Sequence, residues 1–83
     1  MIQLLYFARL REALGSDGES LDWQEPGTVA ALKQKLATRG GAWQEQFAGN
    51  TSLRAAVNQE LVPDTMLIKP GDEVAFFPPV TGG

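Results

Sequence analysis

The residues with the most chemical promise are the last six, Pro78-Pro79-Val80-Thr81-Gly82-Gly83. Glycine has no Cβ, so Gly82-Gly83 adopts nearly any backbone angle and is as thin as a polypeptide becomes. A pair of this kind passes through a narrow channel and presents the α-carboxylate of Gly83 to another protein's catalytic groups. That carboxyl is ionised at neutral pH, with an ordinary pKa of about 3.5, and a carboxylate is a poor electrophile. Acyl chemistry at Gly83 therefore requires activation by a partner, for example as an acyl-adenylate. Pro78 and Pro79 fix φ and favour the extended polyproline conformation, so the tail is expected to project from the body. From Pro78 to Gly83 it reaches at most about 20 Å, at ~3.3 Å per residue. In that picture Val80 anchors in an apolar groove, and Thr81 leads to the Gly82-Gly83 constriction. The same residues also fit a plain chain end behind a strand stop, and the flanking sequence has to decide between the two.

The rest of the chain offers little chemistry of its own. Its 83 residues contain neither Cys nor His. That excludes a disulfide framework, a thiolate metal site and a cysteine nucleophile, and removes the commonest general base. Asp72-Glu73 falls in the turn Lys69-Pro70-Gly71-Asp72-Glu73, where carboxylates serve as solvated turn formers rather than as an acid–base pair. Gly15, Gly18 and Gly27 match no phosphate-binding fingerprint. Ten acidic against seven basic residues give a net charge of −3 without a basic cluster, which argues against a nucleic-acid partner. The apolar start Met1–Ala8 has no preceding positive charge and runs into Arg9-Leu10-Arg11-Glu12. It reads as neither a signal peptide nor a membrane span, and a soluble cytoplasmic protein is expected.

The elements that must carry the tail follow from periodicity. Met1–Phe7 reads as a strand apolar on both faces, with Ile2, Leu4 and Tyr6 on one and Leu5 and Phe7 on the other. A short helix over Arg9–Leu14, capped by Gly15, leads through Ser16-Asp17-Gly18 into a second strand carrying Leu21 and Trp23. These two strands are expected to pair antiparallel. Thr28 is the expected N-cap of the main helix, with Val29, Leu32 and Leu36 inward and Lys33, Gln34 and Lys35 mostly toward water. Gly40-Gly41 ends that helix, and Trp43 and Phe47 suggest a further helical turn under the core. Leu53–Asn58 alternates as a strand, Leu61-Val62 is a short edge piece, and Met66–Ile68 packs a loop. Val74–Phe77 is the last strand, halted by the prolines. The order predicts an α+β fold, a small mixed sheet packed on one main helix. A β-grasp outline satisfies it, and so does a split β-α-β sandwich. Residues 1–77 form the expected domain and residues 78–83 the extended tail.

One helix covers only one face of a small sheet, yet large apolar residues point to both. The uncovered face is expected to bind a protein partner through Phe7, Leu61 and Phe77, with Arg11 at the rim. The competing expectation is that Trp43, Phe47 and the Met66–Ile68 loop cover that face internally.

Three segments resemble the small subunits of molybdopterin synthase, a family of ubiquitin-like sulfur carriers. They are Phe7-Ala8-Arg9-Leu10-Arg11-Glu12, Ala56-Val57-Asn58-Gln59, and the run from Gly71 to Gly83 with its Phe76-Phe77-Pro78-Pro79-Val80-Thr81-Gly82-Gly83 ending. The resemblance implies a β-grasp fold and no stably bound cofactor. It also implies a cycle run through Gly83: an E1-like adenylating enzyme consumes ATP to activate its carboxylate, and a sulfur donor protein converts it to a thiocarboxylate. The carrier then docks on the large synthase subunit, which holds the catalytic groups, and gives its sulfur to cyclic pyranopterin monophosphate. The complete synthase is implied to contain two large and two small subunits. A carrier for another sulfur pathway, or a ubiquitin-like modifier joined to targets through Gly83, would use the same tail.

Overall fold

In a computed structural model of the chain, residues 1–23, 27–49 and 53–78 are described. Strand β1 (Ile2–Tyr6) is followed by helix α1 (Ala8–Leu14), strand β2 (Gly18–Leu21) and a two-residue strand β3 (Gly27–Thr28). Helix α2 (Val29–Ala37), a single turn α3 (Gly41–Gln44) and a π-helical turn over Glu45–Gly49 come next. Strands β4 (Arg54–Val57), β5 (Glu60–Val62), β6 (Leu67–Ile68) and β7 (Glu73–Phe77) complete the order. Five strands form one sheet in the order β2-β1-β7-β4-β5, and β3 pairs with β6 in a separate small ribbon. The last strand lies in the middle of the large sheet, parallel to β1 and antiparallel to β4. This is an α+β, β-grasp arrangement, with α2 as its longest helix.

Period-two alternation fixes which side chains enter the core. Ile2, Leu4 and Tyr6 of β1, Val74 and Phe76 of β7, and Ala55 and Val57 of β4 are buried together with Val29, Leu32 and Leu36 of α2. Thr28 caps α2 as expected, its Oγ1 accepting from the amide of Ala31 at 3.1 Å. Gly15 takes φ 68° and closes α1, its N–H donating to the carbonyl of Arg11. Trp43 and Phe47 pack into the covered side of the sheet. The Phe47 ring meets Phe76 edge-on at 5.2 Å, and Trp43 meets Tyr6 edge-on at 5.5 Å.

Three local expectations need correcting. The second strand stops at Leu21; Trp23 lies beyond it, buried, with its indole N–H donating to the carbonyl of Ile68 at 3.1 Å. A Cβ at Gly27 would stand 2.8 Å from that indole, so glycine is needed for the ring to fit there. Lys33 does not face water. Its ammonium is buried and donates to the carbonyl of Leu53 at 2.8 Å and to Asp64 at 3.0 Å. Of Met66–Ile68 only Ile68 is buried, while Met66 and Leu67 are exposed.

Candidate functional site

The five-stranded sheet has one face filled by the helices and the aromatic cluster, and a second face built from the alternate residues of the same strands. Register places Leu5 beside Ala75, Ala75 beside Ala56, and Ala56 beside Leu61, so one row runs from β1 to the edge strand β5. Gly18 of β2 extends that row on the other side of Leu5. The next row, toward the end of β7, places Phe77 beside Arg54. Phe7 continues β1 into this row, its amide donating to the carbonyl of Phe76 at 3.2 Å.

Phe7 and Leu61 are exposed, at 47% and 61%, and Phe77 is half-buried. Arg11 is exposed on α1. The two alanines keep the centre of the face low, with larger apolar side chains around it. Trp43 and Phe47 do not cover this surface, because their ring contacts are with Tyr6 and Phe76 on the other side. Sequence reasoning missed Ala56, Ala75 and Arg54 as members of the face. The signal was present in the alternation of Arg54–Val57 and Glu73–Phe77, but alanines and a lone arginine do not announce an apolar surface.

Local chemistry explains how this face is held. Ala8 takes φ 55°, a left-handed conformation that costs an alanine about 1–2 kcal/mol. The turn it makes sends the chain directly from Phe7 into α1, and so brings Arg9 and Arg11 to the end of the sheet where β7 finishes. At the opposite end, Asn58 locks β4 to β7. Its backbone N–H donates to the carbonyl of Glu73 at 2.8 Å, and its side-chain oxygen accepts from the Glu73 amide at 3.0 Å. Its amide nitrogen donates to Asp72 at 3.1 Å, and Asp72 also accepts from the Lys69 amide at 2.9 Å. The Lys69 amide, first, and the Asn58 side chain hold the Asp72 carboxyl below the usual aspartate range. Both segments belong to the signature runs of the sequence, and both set where β7 begins and where it delivers the chain.

Beneath the sheet, the Tyr6 hydroxyl donates to Glu19 at 2.9 Å, and Arg39 grips the same carboxylate with two bonds of 2.7 and 2.8 Å. The Arg39 guanidinium also lies 4.4 Å from the centre of the Trp43 ring. Arg39 holds the Glu19 carboxyl below its ordinary range, while burial pushes the Tyr6 hydroxyl well above its own. This cluster is satisfied internally and ties the helical layer to β2. Among the described residues no group of three or more carboxylates is placed to hold a metal ion. Nor is any helix there long and apolar enough to cross a membrane.

Pro78 directly follows β7 and is half-buried. The other tail residues singled out from sequence, Pro79, Val80, Thr81, Gly82 and Gly83, lie outside the described residues. What the structure supplies is therefore the base of the tail: an apolar face and exposed arginines around the last turn of the central strand.

Known proteins share this fold. The ThiS family model matches residues 4–83. The chain is 46% identical to the molybdopterin synthase sulfur carrier subunit of Escherichia coli (strain K12), with 100% of both chains covered. It is 41% identical to that of Haemophilus influenzae, again with 100% of both covered. Among solved structures, SAMP1 from Haloferax volcanii superposes with a TM-score of 0.78 at 28% identity, covering 99% of this chain and 98% of that one. A putative molybdopterin converting factor subunit 1 from Pyrococcus furiosus gives 0.77 at 30% identity, with 95% and 97% covered. A chain from the complex of subunits 1 and 2 of molybdopterin-converting factor from Helicobacter pylori shares the fold, with a TM-score of 0.66 at 19% identity and 99% and 97% covered. The chain belongs to the ThiS family, and within it to the molybdopterin synthase sulfur carrier subunits.

Proposed function

We propose that this protein carries sulfur for molybdopterin synthesis on the carboxyl group of Gly83, and that residues 1–77 serve as the docking body for a tail of residues 78–83. The observation that carries this reading is the 46% identity to a named sulfur carrier subunit across the whole of both chains. The chemistry of the chain supports it independently. A protein with neither Cys nor His cannot hold a persulfide, so a terminal thiocarboxylate is its natural form of bound sulfur.

The Gly83 carboxylate attacks the α-phosphate of ATP on an E1-like adenylating enzyme, giving the acyl-adenylate and pyrophosphate. Sulfur at the sulfide level, supplied by a sulfur donor protein, then displaces AMP and leaves the thiocarboxylate. Its sulfur is a nucleophile that attacks a carbon of cyclic pyranopterin monophosphate in the active site of the large subunit and displaces an oxygen substituent. Water then cleaves the acyl–sulfur bond of the resulting thioester, leaving the sulfur on the pterin and returning Gly83 as a carboxylate. Catalytic acids and cations belong to that subunit, and the carrier binds no cofactor stably. Phe7, Leu61 and Phe77 bury against the large subunit, with Arg11 at the rim, while Pro78, Pro79, Val80, Thr81 and Gly82 occupy its channel. The whole cycle runs in the cytoplasm.

Removing Gly83, or adding one residue after it, abolishes sulfur transfer in a synthase reconstituted with the large subunit, while the thermal melt of the carrier is unchanged. Full activity of either variant would overturn the reading. The likeness to SAMP1 favours a second reading, since a structure 26% identical to this chain is named H. volcanii small archaeal modifier protein 1. A ladder of covalent conjugates on denaturing electrophoresis of cell extract would establish that role.

A further inference from the structure

Charge is unevenly placed around the sheet. At the end where β7 finishes stand Arg9 and Arg11 on α1 and Arg54, which sits beside Phe77 in the last β4–β7 pair. All three are exposed, and none makes a side-chain hydrogen bond or ion pair with another described residue. Lys33 and Arg39, by contrast, are committed to Asp64 and Glu19. The same end also holds the acids Glu12 on α1 and Asp17, whose carbonyl accepts from the Tyr6 amide. The other end of the sheet holds Asp22, Glu60, Asp72 and Glu73 against Lys69. A molecule of net charge −3 thus has three of its seven cations gathered where the last strand ends.

We infer that Arg9 and Arg54, together with Arg11, form a basic collar around the tail's exit, and that the partner surface receiving the tail is acidic around the mouth of its channel. The inference rests on the sulfur-carrier reading and adds to it the chemistry of the receiving surface. Arg54 lies in the same row as Phe7 and Phe77, so burying that row brings its guanidinium to the rim of the contact. An extended chain from Pro78 to Gly83 spans at most about 20 Å, so a collar at Pro78 meets the mouth of a channel that such a chain enters rather than the small molecule inside. An unpaired guanidinium at such a rim fits a carboxylate in a bidentate manner. Beyond about 10 Å at 0.1 M salt the net negative charge is screened, and within that distance the collar acts on its own. Attraction at one end and repulsion at the other then turn the carrier tail-first before contact.

The test is rapid-mixing association of the full chain with the synthase large subunit, at low and at high salt, for the wild type and for R9E, R54Q and R54E. At low salt R9E and R54E each slow association about three- to tenfold, R54Q falls between R54E and wild type, and dissociation changes less. High salt brings all four rates together. Equal or faster association of the glutamate variants, as expected if net charge alone steers a basic partner, would overturn the inference. So would differences that persist at high salt. Failure of the wild type to bind at either salt would instead overturn the sulfur-carrier reading, and the collar with it.

Discussion

Single residues show most clearly where sequence patterns succeed and where they stop. Lys33 sits four residues after Val29 and four before Ala37, both of which are buried. Its spacing therefore pointed inward, and only its type suggested water. The long stem crosses the apolar layer, and the ammonium emerges onto the Leu53 carbonyl and Asp64. Nothing local in the sequence announces partners so far along the chain. The same holds for Tyr6 on β1, Glu19 on β2 and Arg39 just beyond α2, which meet only in the fold. That cluster makes a pH prediction. Arg39 lowers the folded pKa of Glu19, so the stability Glu19 contributes is complete above its ordinary value of about 4.3 and is lost as pH falls through the folded value. Burial raises the Tyr6 hydroxyl, so its contribution is complete below about 10 and is lost at higher pH. Stability should therefore form a plateau between these limits. Urea midpoints of Glu19→Gln should fall less steeply than those of the wild type between about pH 5 and pH 3, with the remaining slope coming from Asp72.

At the scale of elements, long alternating runs were legible and very short ones were not. β1, β4 and β7 each repeat apolar residues with period two, and their buried faces were readable from that alone. β3 and β6 have two residues each and exist because Gly27 and Thr28 meet Ile68 and Leu67. No periodicity can appear over so short a span. The open face was half legible: aromatic residues marked Phe7 and Phe77, whereas Ala56, Ala75 and Arg54 were identified only once strand register was known. Leu61 is the sharpest probe of this element. It projects from the edge strand with 61% of its surface exposed, so Leu61→Asp should change folding stability by no more than about 0.5 kcal/mol. Its affinity for the synthase large subunit should nevertheless drop by about tenfold or more in a calorimetric titration, because a carboxylate would be buried where a leucine fitted.

The molecule as a whole separates structure from chemistry. Beneath the sheet, Arg39 and Lys33 are paired internally, with Glu19 and Asp64. The open sheet face and the arginines beside the exit are left to face outward. Threading the last strand through the middle of the sheet, between β1 and β4, gives the tail a base that cannot shift without unfolding the domain. On the function proposed above, the reactive group lies on the tail and the catalyst on another protein. The most direct test of that division is the intact mass of the chain after incubation with its adenylating enzyme, ATP and a sulfide source, followed by alkylation and peptide mapping. The expected gain equals the replacement of one oxygen by one sulfur, trapped by the alkylating agent and confined to the peptide ending in Gly83. An unchanged mass, or sulfur mapped to any other residue, would contradict it.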